Sequence, residues 1–235
     1  MRAVILAGGK GTRLLPHTEY VPKPLVRVAE NQTILDILIK QLAAQGFNHI
    51  TLAVNHLADI IIEYIGDGSR WGIKIDYSRE TEPLHTIGPI TLIPDLPSDF
   101  LVVNGDVLTD VDYGSFLQEH SRQKYPISIA VKNREIGVEF GVVEFDENQM
   151  LTAFKEKPVH KVLVTMGVNC LSSDVINQIP RSTRYGFDDL MRDSISNGRQ
   201  VHVHEHSGFW LDIGRPSDYQ YVIENYDNIK KILKI

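Results

Sequence analysis

Residues 2–26, RAVILAGGKGTRLLPHTEYVPKPLV, limit what this chain can fold into more than any other stretch. Ala3-Val4-Ile5-Leu6-Ala7 is a short unbroken apolar run, the pattern of a strand buried on both faces and so of a central parallel strand. Gly8, Gly9 and Gly11 follow at once. Lacking a Cβ, they allow either a simple tight turn or a loop whose successive N–H groups converge on phosphate oxygens. Two familiar phosphate loops fail on spacing. A dinucleotide fingerprint needs a third glycine where Leu14 stands, and a Walker A loop needs Ser or Thr where Gly11 follows Lys10. Arg13 and Lys23, the latter stiffened between Pro22 and Pro24, add two cations of different kinds.

The rest of the first half reads as alternating strands and helices. Residues 32–45 place Ile34, Leu35, Leu38 and Leu42 on one helical face, with Gly46 where a C-cap would be. A strand is expected at 49–54, a helix at 57–65 and an alternating strand at 73–77, which together make a parallel α/β beginning. Phe100-Leu101-Val102-Val103 is a second continuous apolar run, followed directly by Asn104-Gly105-Asp106. Ligands of parallel sheets bind beyond the carboxyl ends of the strands, so Asp106 and the first glycine loop converge there. Later segments predict helices at 113–123, 187–196 and 216–233, strands at 127–131, 140–145 and 151–155, and an extended stretch at 200–206. This second half reads as mixed or antiparallel, a smaller region packed against the first.

A net charge of −6 argues against nucleic-acid binding, which needs a basic face, but a few local cations suffice for a nucleotide. The one cysteine, Cys170, cannot form an intramolecular disulfide and reads as a small buried hydrophobe. No apolar run approaches a bilayer span, and no signal peptide is recognisable, so a cytoplasmic location is the default expectation.

Phosphoryl and nucleotidyl transfer need charge neutralisation and alignment. Arg13 can fork two phosphate oxygens, whereas Lys23 is a movable point charge. Asp106 and Asp212, in Trp210-Leu211-Asp212-Ile213-Gly214, are the best candidates for the one or two carboxylates that magnesium prefers, though each alone could be a turn or cap. Asp110 and Asp112 read as turn or cap residues. Lys155-Glu156-Lys157-Pro158 reads, on its own, as a solvated strand end. His202, His204 and His206 share one side of an extended segment, which without a fourth ligand is a partly exposed strand face. Trp71 and Trp210 read as core or rim.

Taken whole, the run from Leu6 to Leu25 resembles the signature of the sugar-1-phosphate nucleotidylyltransferases (NDP-sugar pyrophosphorylases), L-A-G-G-x-G-T-R-L-x-P-x-T…P-K-P-L, with His17 and Thr18 in register. Phe140-Gly141-Val142, Glu156-Lys157-Pro158 and Asp212-Ile213-Gly214 resemble later elements of that family, in family order. The resemblance implies an α/β, Rossmann-like three-layer sandwich with a mainly parallel, mixed central sheet. It implies one catalytic domain over 1–235, with 1–125 mainly for the nucleotide and 126–235 mainly for the sugar phosphate. The implied reaction joins a nucleoside triphosphate to a sugar 1-phosphate by in-line attack at the α-phosphorus, releasing pyrophosphate. No general base is needed, since the second pKa of a phosphate monoester is about 6.

By position, the nucleotide would meet Leu6, Ala7, Gly8, Gly9, Gly11, Thr12, Arg13, Lys23, Leu84, Thr86, Gly88, Asn104 and Gly105. Gly141, Glu156, Lys157, Thr165 and Gly167 would take the sugar phosphate, and Asp106 and Asp212 would hold Mg2+. Arg13, Lys23, Asp106, Lys157 and Asp212 form the implied catalytic set. The implied partners are the two substrates, with no nucleic acid or membrane; a homo-oligomer is left open.

Glu82-Pro83-Leu84-His85-Thr86-Ile87-Gly88 resembles the E-P-L-G-T-A-G element of the mannose-1-phosphate and heptose-1-phosphate guanylyltransferases, with His85 for a glycine and Ile87 for an alanine. Thr165-Met166-Gly167-Val168-Asn169 departs from the N-A-G-I-Y of relatives. GTP with mannose 1-phosphate or a related sugar is therefore the leading expectation. A UTP- or dTTP-dependent glucose-1-phosphate enzyme, a catalytically weak nucleotide-sugar sensor, and a transferase for a non-sugar phosphate are the alternatives.

Overall fold

β1 (Arg2–Leu6) has Ala3, Val4 and Ile5 fully buried, as its unbroken apolar run demands. Ala3 and Ile5 enter one core and Val4 the opposite one. The structure is a computed structural model describing residues 1–235. A ribbon of β2 (Arg27–Ala29) and β3 (Gln32–Thr33) leads into α1 (Ile34–Ala44), whose start is a reciprocal cap between Thr33 and Asp36. β4 (His49–Val54), α2 (Ala58–Ile65) and β5 (Lys74–Arg79) complete the alternating run. β6 (Asp99–Asn104) and β7 (Val107–Thr109) flank Asp106, and Asp112 caps α3 (Tyr113–Gln123) through the Ser115 N–H, 2.8 Å away.

The second half holds β8 (Ile127–Gly137), β9 (Val142–Phe145), β10 (Leu151–Lys155), β11 (Val159–Ser172) and the short α4 (Ser173–Asn177). α5 (Phe187–Ser196), β12 (Val201–Glu205), β13 (Trp210–Asp212) and α6 (Pro216–Leu233) follow. α6 starts where it should: Pro216 needs no N–H there, and the Asp218 carboxylate accepts the Arg215 N–H at 2.8 Å.

Seven strands form one sheet in the order β12-β8-β11-β6-β1-β4-β5. β1 runs parallel to β4 and β6, β4 to β5, and β12 to β8. β11 runs antiparallel to β6 and β8. Residues of α1, α2 and α3 fill the core on one face, and residues of α4 and α5 that on the other, giving three layers. The fold is the α/β sandwich with a mixed, mainly parallel sheet that the resemblance implied.

The second half is not a smaller region packed against the first. Its strands β11, β8 and β12 extend the same sheet, and what projects is the outer ribbon of β8 and β11 with the β9–β10 hairpin. β11, with 14 residues, is the longest strand, and the sequence pattern gave no strand there. Its first half is exposed on both faces, so no alternation marks it.

Candidate active site

Two cavities open side by side beyond the carboxyl ends of β1, β4 and β6. The larger, about 470 Å³, is lined by Gly8, Gly9 and Lys10, by Asn55 and His56 after β4, by Glu80 after β5, and by Asp106. The smaller, about 200 Å³, is lined by Thr165, Met166, Gly167 and Asn169 of β11, by Ile87 and Phe187, and by Trp210 and Asp212 of β13. Leu6, Thr86 and Asn104 line both, so the two form one bipartite space.

The acids Asp106 and Asp212 stand one on each cavity, and Lys23 joins them. The Lys23 ammonium donates a short hydrogen bond to Asp106 Oδ2 and lies 3.9 Å from Asp212 Oδ1. This convergence is built by strand pairing: β7 and β13 are antiparallel, with Asp212 opposite Val107, and the Ile213 N–H donates to the Asp106 carbonyl at 3.1 Å. Lys23 is buried at the start of a short 3₁₀ turn between its two prolines. Burial, then the nearby Asp106 carboxylate, pushes the Asp212 carboxyl above the usual carboxylate range, while Lys23 and Arg13 pull it back.

Oδ1 of Asp106 and Oδ1 of Asp212 are both buried without a hydrogen-bond partner. Two hard carboxylate oxygens free at one point suit a hard divalent cation, which leaves its other positions to water and phosphate oxygens. No cluster of three or more His, Cys, Asp or Glu side chains competes as a metal site.

Arg13 is exposed in the 3₁₀ helix Thr12–Leu14, which Gly11 opens at φ +66°. A Cβ at Gly11 would meet Lys23 Cβ and Thr18 Cγ2 at 3.1 Å, so the loop's left-handed turn needs glycine there. The Arg13 guanidinium reaches toward Gly214 and the Asp212 carboxylate. Gly105 is buried behind the wall.

The loop after β5 is tied to residues 183–187. The N–H of Tyr185 donates to Leu84 O at 3.0 Å, those of Ile87 and Gly88 donate to Tyr185 O, and that of Phe187 to Thr86 Oγ1 at 2.7 Å. Leu84 and Gly88 are thereby buried in the scaffold, and Pro83, His85 and Thr86 face the larger cavity. His85 adopts φ +67°, a conformation that favours glycine, and its Nε2 accepts the Arg184 Nε–H at 2.5 Å. The glycine of relatives at this position thus has a backbone reason, and the histidine keeps the turn while adding a cross-loop contact.

Gly141, Glu156 and Lys157 lie on the projecting hairpin and line neither cavity. Gly141 sits against the Phe154 ring and Glu156, and Glu156 and Lys157 are exposed. Thr165 and Gly167 do line the smaller cavity. Lys10, Asn55, His56, Glu80, Asn169 and Arg184 join the walls although none was among the site residues expected from the sequence. For Asn55 and Glu80 a sequence signal existed: each directly follows a strand of the parallel run, the position where ligand-facing residues concentrate.

The three histidines do not converge. His202 stacks on Tyr125 at 4.3 Å, His204 packs on Phe116, and His206 contacts Asp110 Oδ1 at 2.7 Å. Asp110 is therefore a partner of His206 and not a helix cap, while Asp112 does cap α3. Trp210 is a rim residue whose indole N–H donates to Met166 O at 2.9 Å. Trp71 carries the stacked Arg70 guanidinium at 3.8 Å.

Known proteins are similar to this chain over most of its length. The chain is 34% identical over 227 residues to the mannose-1-phosphate guanylyltransferase catalytic subunit beta of Dictyostelium discoideum, covering 93% of this chain and 62% of that protein. It is 32% identical to the UTP--glucose-1-phosphate uridylyltransferase of a Synechocystis strain, over 95% of this chain and 62% of that protein. The chain thus spans less than two thirds of the length of these relatives. The crystal structure of HddC from Yersinia pseudotuberculosis superposes with a TM-score of 0.75 at 27% identity, covering 96% of this chain and 99% of that one, and HddC has also been crystallised with GMP-PN. The family model described as nucleotidyl transferase matches residues 2–228, which include the glycine loop, both acids and every strand of the sheet; the chain belongs to that family.

Proposed function

We propose that the protein is a sugar-1-phosphate nucleotidylyltransferase, transferring the nucleotidyl group of GTP to mannose 1-phosphate or a related sugar 1-phosphate and releasing pyrophosphate. The observation that carries this reading is the pair Asp106 and Asp212, one on each cavity, with a free buried oxygen apiece and Lys23 between them. Such a junction suits a reaction in which two phosphate-bearing ligands meet.

In this reading residues 1–125 mainly bind the nucleotide, in the larger cavity, and residues 126–235 mainly bind the sugar phosphate, in the smaller one. Gly8, Gly9 and Gly11 offer backbone N–H groups to the phosphates. Arg13 grips the departing β- and γ-phosphates. Lys23 stands at the α-phosphate, where its ammonium balances charge as the new P–O bond forms. Asp106 and Asp212 would hold Mg2+, which when bound draws charge from the α-phosphate oxygens. Glu156 and Lys157, on the hairpin, are assigned to the sugar and its phosphate by their match to the family's E-K-P element. A cytoplasmic setting accords with a lone, buried cysteine.

Guanine is supported by the similarity to a guanylyltransferase and to a protein crystallised with GMP-PN. The uridylyltransferase relative, at nearly the same identity, supports a second reading with UTP and glucose 1-phosphate. Pyrophosphate release, measured with magnesium across GTP, UTP, dTTP, ATP and CTP and a panel of sugar 1-phosphates, decides between them. The expected result is fastest release with GTP and mannose 1-phosphate, abolished in Asp106→Ala and in Arg13→Ala, with the melting curve of Arg13→Ala close to wild type and that of Asp106→Ala lowered because the buried Lys23 loses its partner. Fastest release with UTP and glucose 1-phosphate would favour the second reading. No release with any pair would leave a nucleotide-sugar sensor.

A further inference from the structure

Asn169 is out of place in the fold. β11 alternates, with Val168 and Cys170 entering the larger core and Leu171 the opposite one. Asn169 shares the face of Leu171, and its cross-strand partners are Val102 on β6 and Ile129 on β8, both buried and apolar. A carboxamide there is 6% exposed, and its Oδ1 is fully enclosed without a hydrogen-bond partner. An apolar residue of the same size would suit the sheet better, because an unpaired buried polar group is costly.

The backbone around Asn169 is shaped for the cavity. Between Thr165, opposite Val131, and Asn169, opposite Ile129, β11 carries two more residues than β8. The surplus bulges outward with Gly167 at φ +70° against the Asn104 side chain, a device that re-aims neighbouring side chains. Asn169 lines the smaller cavity, and Ile87, Val102 and Phe187 on the same wall are apolar. The carboxamide is thus a buried polar point on a wall that also carries Asn104, two residues beyond Val102 on the same face of β6.

We infer that Asn169 is a specificity-determining residue for the sugar: its carboxamide pairs with one hydroxyl, or with the amino group of an amino sugar, on a pyranose ring packed against Ile87, Val102 and Phe187. This rests on the reading of the smaller cavity as the sugar-phosphate site. A carboxamide can accept through oxygen or donate through nitrogen, so it discriminates whether that substituent is present and on which face of the ring it stands. A buried amide that pairs with the substrate rejects the analogue lacking the partner, since the amide is then left unpaired.

The test is a deoxy scan. Initial rates of pyrophosphate release are measured with GTP, magnesium, mannose 1-phosphate and its 2-, 3-, 4- and 6-deoxy analogues, or the same series of whichever sugar 1-phosphate the wild type turns over fastest. In the wild type one deoxy position is expected to lower kcat/KM by about 10- to 100-fold. Asn169→Leu, near-isosteric and suited to its neighbours, is expected to lower kcat/KM for the parent sugar by a similar factor, to leave KM for GTP unchanged, and to be indifferent to that one deoxy position. Asn169→Ala serves in the same way if the leucine does not fit. Equal deoxy penalties in wild type and both variants, or an unchanged rate on the parent sugar, would overturn the inference. Failure of the underlying reading looks different: wild type then releases no pyrophosphate with any pair and no sugar 1-phosphate raises its Tm, which removes the inference with it.

Discussion

Asp212 illustrates how a single carboxylate is held in a state that suits ligands better than it suits the fold. Its folded-state pKa is raised, first by burial and then by Asp106. For an acid, a raised folded pKa means that the ionised form costs stability above that pKa, and that the cost is relieved as pH falls through it. Asp212→Asn is therefore expected to match or exceed the wild-type Tm at pH 7.5 while losing pyrophosphate release entirely; a clearly lower Tm would contradict this reading of the carboxylate. Asp106 and Asp212 were both legible in the sequence, Asp106 because it comes after an apolar strand and a glycine, and both because they match a motif. What could not be read was that Lys23 touches Asp106, since 83 residues separate them and only the pairing of β7 with β13 and the turn at Pro22 bring the three together. His85 was visible as a departure from glycine, but its left-handed backbone and its bond to Arg184 were not.

At the scale of the element, α1 shows local and long-range chemistry meeting on one residue. Asp36 accepts from the Thr33 N–H and hydroxyl at 2.9 and 2.8 Å, from the Tyr64 hydroxyl at 2.8 Å and from Arg70 Nη2 at 2.8 Å. Asp36→Ala removes the cap and strands three partners, so a loss of about 2–4 kcal/mol is expected in urea unfolding. A loss below about 1 kcal/mol would show that the hub is redundant. The sequence foretold α1, α3, α5 and α6 because each carries an amphipathic face and a cap signal. Asp36 as a hub stayed hidden, for Tyr64 and Arg70 arrive from beyond the next strand. β11 stayed hidden for another reason: its ribbon half is largely exposed, so neither face had to be uniformly apolar.

Across the whole molecule, two histidines whose burial disfavours protonation make stability fall with pH. His120 is wholly buried on α3, its Nδ1 2.8 Å from Ser128 Oγ, and burial lowers its pKa despite Asp99 nearby. Burial likewise lowers that of His204, with His206 and His202 adding to the effect. A lowered folded pKa in a histidine means that the unfolded chain takes up protons the folded one refuses. Stability is then complete above the ordinary value of about 6.5 and is lost as pH falls below it. The Tm is expected to drop between pH 7 and pH 5, with a shallower drop in His120→Gln; parallel curves for the two proteins would count against the assignment.

The continuous strand β11 also governs which insertions the chain can accept. It leaves Pro158 beside the exposed Glu156 and Lys157, runs as a ribbon with β8, carries Thr165, Gly167 and Asn169 past the smaller cavity, and ends in the core at Ser172. Side chains alternate along a strand, so one residue added between Val159 and Val164 would turn over every position between the hairpin and the bulge. One residue added at the turn of Asp146, Glu147 and Asn148 would be absorbed in solvent. Length variation in proteins built on this plan should therefore collect at the hairpin tip and be absent from the ribbon, which works as a fixed-length spacer between the hairpin and the smaller cavity.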